Sequence, residues 1–126
     1  MYEKNFPTKR YNKTLDFVKQ HISVGEKILD LGIKNPLSKL LQKSGFIVTN
    51  TTGEDLDVDF SAVQNSNAEV VTAFEIFEHL VTPFSILKEI KANKLVASVP
   101  LRLWFSAAYR SKTDLRDRHF HEFEDW

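Results

Sequence analysis

The segment at residues 69–80, with the sequence EVVTAFEIFEHL, constrains the fold more than any other part of the chain. Val70, Val71 and Ala73 form the short apolar run of a strand that is covered on both faces. Such strands belong to parallel sheets, in which ligands bind outside the carboxyl ends of the strands. Because this run leads directly into acidic residues and a histidine, the sequence predicts a functional site at this end of the strand.

Helical spacing of apolar residues, together with capping residues, predicts three helices. The first ends near Gly25, and the third begins after Thr82 with Pro83 at its first turn. The second has Asn35 as its N-cap and Pro36 at its first position, the residue types favoured at those positions. A further helix is predicted over residues 104–110, and an unpaired tail follows it.

Strand patterns alternate with these helices. The predicted strands are residues 27–31, 46–51, 69–74 and 95–99, with a short additional strand at residues 58–60. This alternation predicts an α/β fold of three layers, in which a mainly parallel sheet carries helices on both faces. The length of 126 residues is enough for one domain with a hydrophobic core and too little for two.

Composition excludes several classes of protein. Lys plus Arg and Asp plus Glu both number 17, so a net charge of zero makes nucleic acid and anionic membranes unexpected partners. The absence of cysteine excludes disulfides, a thiolate nucleophile and a zinc–thiolate site. No apolar run approaches the roughly 20 residues of a membrane span, and the polar start is not a secretory signal. We therefore expect a cytoplasmic protein.

The order of elements resembles the class I S-adenosylmethionine-dependent methyltransferases, and the resemblance covers nearly the whole chain. It is carried by KILDLG at residues 27–32 and by VVTAFEIFEHLVTPFSILKEI at residues 70–90. The EHL motif, the helix that starts with proline and the strand LVASVP are similar to ubiquinone-pathway and other small-molecule methyltransferases. The resemblance implies a Rossmann-like sheet, S-adenosylmethionine as cofactor, and methyl transfer to the hydroxyl or amine of a small-molecule acceptor.

The family's organisation implies an N-terminal segment and helix in residues 1–24, a cofactor-binding core in residues 25–100 and an acceptor-side tail in residues 101–126. An acidic residue and a glycine-rich turn follow the first strand in the family, and Asp30 and Gly32 match them. Ile33 and Lys34 continue this turn. Lys34 and Pro36 replace the family's second and third glycines, which adds side chains and removes one amide donor.

Other cofactor contacts are implied further along the chain. They are Thr52, Asp57, Asp59, Phe74 and Glu75. Thr52 aligns near the acid that normally accepts hydrogen bonds from the ribose, so Glu54 or Asp55 would have to substitute for it. The alternative interpretation is that Asp30 and Gly32 form an ordinary strand-to-helix turn and that residues 54–59 are a solvated acidic loop.

A divalent metal is also implied. Glu75, Glu78 and His79 have the spacing i, i+3, i+4, which places side chains on one side of a helical turn. RDRHFHEFEDW at residues 116–126 resembles the histidine-bearing stretch of the small-RNA 2′-O-methyltransferases, which hold a metal with Glu-x-x-Glu-His. With His121 as a further ligand, Mg²⁺ or Mn²⁺ would suit this set. His79 or His119 could take the proton of a hydroxyl acceptor.

Many relatives carry EHL without a metal, the acid lying beside the cofactor and the histidine bracing the helix. The tail histidines could also be partly exposed residues without a role in catalysis. Both alternatives to a metal site therefore stay open.

The family completes its sheet with two further strands, and this sequence stops at Trp126 before convincing candidates for them. The strand at residues 95–99 would then be an apolar edge, which could pair with a second copy as a homodimer. Folding of Trp104, Phe105 and Tyr109 over this edge is the alternative.

Three functions follow from the sequence. The first is a methyltransferase of full or weak activity. The second is an inactive methyltransferase-like interaction module that no longer binds the cofactor. The third is a nucleotide-binding oxidoreductase domain, which is disfavoured because the dinucleotide glycine pattern is absent after Leu31.

Overall fold

Four parallel strands form one sheet in the computed structural model, which describes residues 2–100 and, for side chains, residues 8–100. The strands are β1 (Lys27–Asp30), β2 (Ile47–Asn50), β3 (Val70–Phe74) and β4 (Lys94–Ser98). Their order across the sheet is β2-β1-β3-β4, and every neighbouring pair is parallel. The predicted α/β class with a parallel sheet is confirmed.

Within residues 2–100, one α-helix precedes the first strand, and three α-helices and one 3₁₀ turn lie between the strands. The helices are α1 (Tyr2–His21), α2 (Pro36–Lys43), α3 (Ser61–Gln64) and α4 (Pro83–Glu89), and the 3₁₀ turn is Phe77–His79. The three helices predicted for this part of the chain are confirmed as α1, α2 and α4. The short α3 was not predicted. The helix and tail predicted after Pro100 lie outside the described residues.

The helices cover both faces of the sheet, and consecutive residues of β1 show this directly. Ile28 packs into one core with Val18 of α1 and Leu41 of α2. Leu29 packs into a second core on the opposite face, with Ile86 of α4. Successive side chains of a strand point to opposite faces, so the sheet separates two apolar layers and the fold has three layers.

The start of α2 shows how local sequence fixes an element. The Asn35 carboxamide oxygen accepts a hydrogen bond from the backbone N–H of Ser38 at 3.0 Å. The Ser38 hydroxyl accepts one from the backbone N–H of Asn35 at 2.8 Å, which completes a capping box. Pro36 occupies the first turn, where its missing N–H removes no intrahelical bond. The predicted N-terminus is confirmed.

The strand predicted at residues 58–60 is wrong. Asp55 begins a turn there, because its carbonyl oxygen accepts hydrogen bonds from the backbone N–H groups of Val58 at 3.1 Å and Asp59 at 2.8 Å. Val58 is 74% exposed, so its side chain is not buried against the sheet. Local turn hydrogen bonds therefore outweigh the β preference of a single valine.

Among the described residues, no helix combines the length and the apolar character that crossing a membrane would require.

Candidate functional site

The carboxyl ends of β1 and β3 lie side by side. Asp30 is in register with Thr72, and the backbone N–H of Leu31 donates to the Thr72 carbonyl oxygen at 2.8 Å. Between β1 and β3 the strand order reverses direction, since β2 lies on one side of β1 and the later strands on the other. Open α/β sheets bind their ligands at such a position.

Asp30 is buried at this position, with an exposed fraction of 2%. One carboxylate oxygen accepts a 2.6 Å hydrogen bond from the Thr72 hydroxyl, and the other accepts one at 3.0 Å from the Asn50 amide. Burial raises the pKa of Asp30 to about 6, although these two hydrogen bonds oppose the rise. Because its partners lie on β2 and β3, the Asp30 carboxylate links the ends of three strands.

The turn after β1 requires a glycine. Gly32 has a φ of +120°, and a Cβ there would lie 3.3 Å from Cδ1 of Ile76. Its N–H donates to the Thr51 hydroxyl at 2.7 Å, and its carbonyl oxygen accepts from the Asn50 amide at 3.1 Å. The backbone polar groups of Gly32 therefore have partners within the protein. Lys34 is exposed and does not fill the neighbouring cavities.

We name the cavity of about 570 Å³ at this end of the sheet the larger cavity, to distinguish it from one of about 170 Å³ beside it. It lies between the turn after β1, the loop after β2 and the turn after β3. Its lining residues are Ile33, Gly53, Glu54, Asp55, Leu56, Asp57, Ile76, His79, Leu80 and Val81. Five of these side chains are apolar, three are acidic and one is a histidine. The volume falls in the range of roughly 300–1,000 Å³ that is usual for small-molecule sites.

The acidic residues near this cavity differ in their hydrogen bonding. Glu54 folds back so that one carboxylate oxygen accepts from the Thr52 N–H at 2.9 Å and hydroxyl at 2.8 Å. Its pKa is lowered, first by a hydrogen bond from its own backbone N–H and then by those from Thr52. Thr52, which was predicted to contact the cofactor, does not line the larger cavity but hydrogen-bonds to Glu54, which does. Thr52 lines a more open depression beside that cavity.

Asp57 and Asp59 both stabilise helix starts. The Asp57 carboxylate accepts from the backbone N–H groups of Val81 at 3.0 Å and Thr82 at 2.8 Å, just before α4. The Asp59 carboxylate accepts from the Ser61 hydroxyl at 2.6 Å and N–H at 3.0 Å at the start of α3, and these bonds lower its pKa. Asp57 lines the larger cavity, whereas Asp59 lines the open depression beside it.

The smaller cavity, of about 170 Å³, lies next to β1 and α1. Its lining residues are Arg10, Tyr11, Thr14, Asp30, Leu31, Asn35, Leu37, Phe74, Glu75 and Ser98. Leu31 borders this cavity and Ile33 borders the larger one, so the turn at Gly32 separates the two along the chain. Phe74 and Glu75, both predicted to contact the cofactor, therefore lie on the smaller side.

Glu75 has an uncommon backbone conformation for a residue other than glycine, with a φ of +57°. Its N–H donates to the Ser98 carbonyl oxygen at 2.9 Å, which connects the end of β3 to the end of β4. Its Oε1 lies 3.7 Å from Nη1 of Arg10, and its buried Oε2 has no hydrogen-bond partner within the described part of the chain. Burial raises the pKa of Glu75, while the charges of Arg10 and His79 oppose this.

Glu78 is almost fully buried, with an exposed fraction of 1%. Its Oε1 lies 3.6 Å from Nε2 of His79, and its Oε2 has no hydrogen-bond partner among the residues described. Burial raises the pKa of Glu78 to about 7, and the negative charge of Glu75 adds to the rise. A buried carboxyl group without a complete set of donors is rare enough to suggest a functional role.

Glu75, Glu78 and His79 do not share one face as predicted. Glu75 lines the smaller cavity, Glu78 is buried, and His79 lines the larger cavity. The α-helical spacing does not apply, because Glu75 is left-handed and residues 77–79 form a 3₁₀ turn. Within residues 8–100, no three His, Asp or Glu side chains are grouped as metal ligands. His119 and His121 lie outside the described residues, so the metal site and the role of His119 stay predictions.

Several site residues were missed by the sequence analysis. Arg10, Tyr11 and Thr14 line the smaller cavity from α1. No sequence pattern indicated this, because α1 and β3 are far apart along the chain. Asn50 and Thr51 hold Asp30 and Gly32 in place. Their position at the end of a predicted strand was the signal that could have identified them.

Comparison of the chain with models of protein families, with curated proteins and with solved structures finds no match. Its chemistry is therefore inferred from the geometry of the site and from the sequence resemblance alone.

Proposed function

We propose that this chain is an S-adenosylmethionine-dependent methyltransferase of the cytoplasm, and that the cofactor's nucleoside binds in the larger cavity. The observation that carries this proposal is the position of that cavity. It lies at the carboxyl ends of parallel strands, where the strand order reverses, and its volume of about 570 Å³ suits a small molecule.

The residues that line the larger cavity fit a nucleoside. Ile33, Ile76 and Leu80 offer apolar surface for the faces of a base. Glu54 offers a carboxylate on the loop after β2, where the resemblance requires an acceptor for the ribose hydroxyls. The lowered pKa of Glu54 keeps this carboxylate ionised at neutral pH, in the form that accepts hydrogen bonds.

When bound, the cofactor supplies a methyl group on a sulfonium sulfur, and the protein's main contribution is to hold the acceptor in line with it. The smaller cavity lies across the Gly32 turn and is the proposed acceptor side. His79 lines the larger cavity and not the smaller one, so it could take a proton only from an acceptor hydroxyl that reaches into the larger cavity.

A cofactor-free interaction module is the second candidate, and a specific observation favours it. Both carboxylate oxygens of Asp30, and the N–H and carbonyl of Gly32, already have hydrogen-bond partners in the protein. These are the groups that the resemblance assigns to the cofactor. A site that is internally satisfied gains less from a ligand than one with free donors and acceptors.

Calorimetric titration with S-adenosylhomocysteine separates the two candidates. We expect saturable binding by the unaltered protein. Ile33→Trp should weaken it at least about tenfold, because the exposed Ile33 lies at the mouth of the larger cavity and an indole would fill it. Ile47→Trp is the matched control, since Ile47 is also exposed and lies at the opposite end of the sheet.

Glu54→Gln should also weaken binding, whereas Glu69→Gln, at an exposed residue before β3, should leave it unchanged. Absence of heat with the unaltered protein at about 1 mM ligand would favour the cofactor-free module. Equal weakening by Ile33→Trp and Ile47→Trp would place the ligand elsewhere.

A further inference from the structure

Asp57 joins two segments that are 24 and 25 residues apart along the chain. Its Oδ2 accepts a hydrogen bond from the backbone N–H of Val81 at 3.0 Å, and its Oδ1 accepts one from the N–H of Thr82 at 2.8 Å. Oδ1 also accepts from the Thr82 hydroxyl at 3.1 Å. The Asp57 carboxylate therefore ties the loop after β2 to the residues that start α4.

The two segments that Asp57 joins are walls of the larger cavity. Asp55, Leu56 and Asp57 line it from the loop after β2, and Leu80 and Val81 line it from the turn after β3. We propose that Asp57 is a positioning residue, which holds these two walls at the separation that the ligand of the larger cavity requires. This inference rests on the proposed function only in naming that ligand as a nucleoside.

The loop after β2 has a defined shape of its own. The Asp57 N–H donates to Oδ1 of Asp55 at 3.0 Å. The Asp55 carbonyl oxygen accepts from the N–H groups of Val58 at 3.1 Å and Asp59 at 2.8 Å. Because these bonds form a turn, a contact at Asp57 also sets the position of the neighbouring lining residues.

The two helix starts beside the site satisfy their N-cap N–H groups differently. In α2 the N–H of Asn35 donates to Ser38, three residues later in the same helix, as in a capping box. In α4 the corresponding N–H, that of Thr82, donates to Asp57 instead. A long-range partner thus replaces a local one, so the start of α4 is fixed relative to the loop after β2.

The hydrogen bonding of Asp57 favours this role over direct contact with the ligand. A carboxylate offers about four lone-pair sites. The three hydrogen bonds from Val81 and Thr82 occupy three of them. The resemblance implies that Asp57 contacts the cofactor, whereas the geometry points to an effect through the cavity walls.

The first test needs no ligand. ¹³C-methyl NMR spectra report the surroundings of Ile76 and Leu80, which line the larger cavity. We expect Asp57→Asn to shift these methyl signals and Asp57→Ala to shift them further, because asparagine keeps one acceptor oxygen. The same spectra show that each variant is folded.

Glu26→Gln is the matched control for these variants. The Glu26 carboxylate also joins distant segments, since it accepts from Lys94 at 3.0 Å, but it lies before β1 at the opposite end of the sheet. Glu26→Gln should leave the methyl signals of Ile76 and Leu80 unchanged.

Calorimetric titration with S-adenosylhomocysteine measures the effect on affinity. Asp57→Asn should weaken binding at least about fivefold and Asp57→Ala at least about tenfold, whereas Glu26→Gln should not weaken it. S-inosylhomocysteine lacks the amino group of the adenine base. Its binding should be weakened by the same factors, because a change in the cavity walls acts on both ligands.

Four outcomes decide the inference. Unchanged methyl signals in Asp57→Ala, or altered signals with unchanged affinity, would overturn it. Weakening for S-adenosylhomocysteine alone would also overturn it, because Asp57 would then contact the base directly. Altered methyl signals without binding of either ligand by the unaltered protein would support the positioning of the walls and reject the proposed function.

Discussion

At the residue scale, most acidic side chains near the site have a structural partner. Asp30 links three strands, Asp57 and Asp59 stabilise helix starts, and Glu54 closes a turn with Thr52. Glu75 and Glu78 differ, because each keeps a buried oxygen without a partner in the described part of the chain. This difference in hydrogen bonding distinguishes Glu75 and Glu78 from the acids that hold the fold.

Asp57→Ala is expected to lower the free energy of unfolding by about 1 kcal/mol. The change leaves the N–H groups of Val81 and Thr82 without their acceptor at the start of α4. Urea unfolding at neutral pH measures the loss. Asp57→Asn keeps one acceptor oxygen and should lose less, so equal stability of all three proteins would contradict the capping role.

The buried Glu78 should make stability depend on pH. Its pKa is raised to about 7 in the folded protein from the usual 4.5, so between these values the folded chain binds more protons than the unfolded chain. The free energy of unfolding therefore falls as pH rises through this window, by an amount on the order of 3 kcal/mol. Asp30, with its pKa raised to about 6, contributes in the same direction.

Glu78→Gln should reduce the decrease in the free energy of unfolding between pH 4.5 and 7. The smaller decrease due to Asp30 should remain. Urea unfolding at pH 4.5, 6 and 7.5 gives the comparison, with Glu69→Gln as a control that keeps the full dependence. A Glu78→Gln variant whose stability falls as steeply as that of the unaltered protein would show that another group is responsible.

At the element scale, the turn between β1 and α2 determines the shape of the site. It places Ile33 over the loop after β2, where a Cβ on Gly53 would lie 3.6 Å from Ile33 Cγ2. The capping box at Asn35 then starts α2. Lys34 and Pro36, which replace two glycines of the family, are both exposed, and the chain turns at Gly32 before reaching them.

Gly32→Ala should destabilise the protein by about 1–3 kcal/mol. An alanine there would have to adopt a φ of +120° and would place its Cβ 3.3 Å from Ile76 Cδ1. Gly25→Ala is the matched control, because a Cβ at Gly25 meets nothing within 4 Å, and it should change stability by less than about 1 kcal/mol. Thermal or urea unfolding of both variants distinguishes a specific need for glycine at position 32 from a general effect.

At the scale of the whole molecule, the described sheet has two edges, β2 and β4. Leu95 on β4 is 42% exposed, and Phe17 of α1 lies beside it at 50% exposure around a depression of about 420 Å³. Within residues 2–100, no further strand pairs with the outer side of β4. The homodimer expected from the sequence would use this edge.

Leu95→Lys should weaken self-association at least about tenfold, because a charge on an edge strand opposes pairing with another strand. Light scattering over a range of concentrations measures the association. Ile47→Lys introduces the same charge on β2 and should have no effect. A monomer at all concentrations would exclude the dimer, and an effect of Ile47→Lys alone would move it to the other edge.

The amino-acid sequence alone determined the type and order of the long elements, because apolar periodicity and capping residues act over a few neighbouring positions. The helix from Pro36 and the buried strand at Val70 are examples. The strand predicted at residues 58–60 was wrong, because it depended on a single valine in a segment that forms a turn. The tertiary structure decided which side chains meet. Arg10 reaches Glu75, and Asn50 reaches Asp30, through packing between distant segments that local spacing does not encode. The charge and hydrogen bonding of the site depend on those long-range contacts.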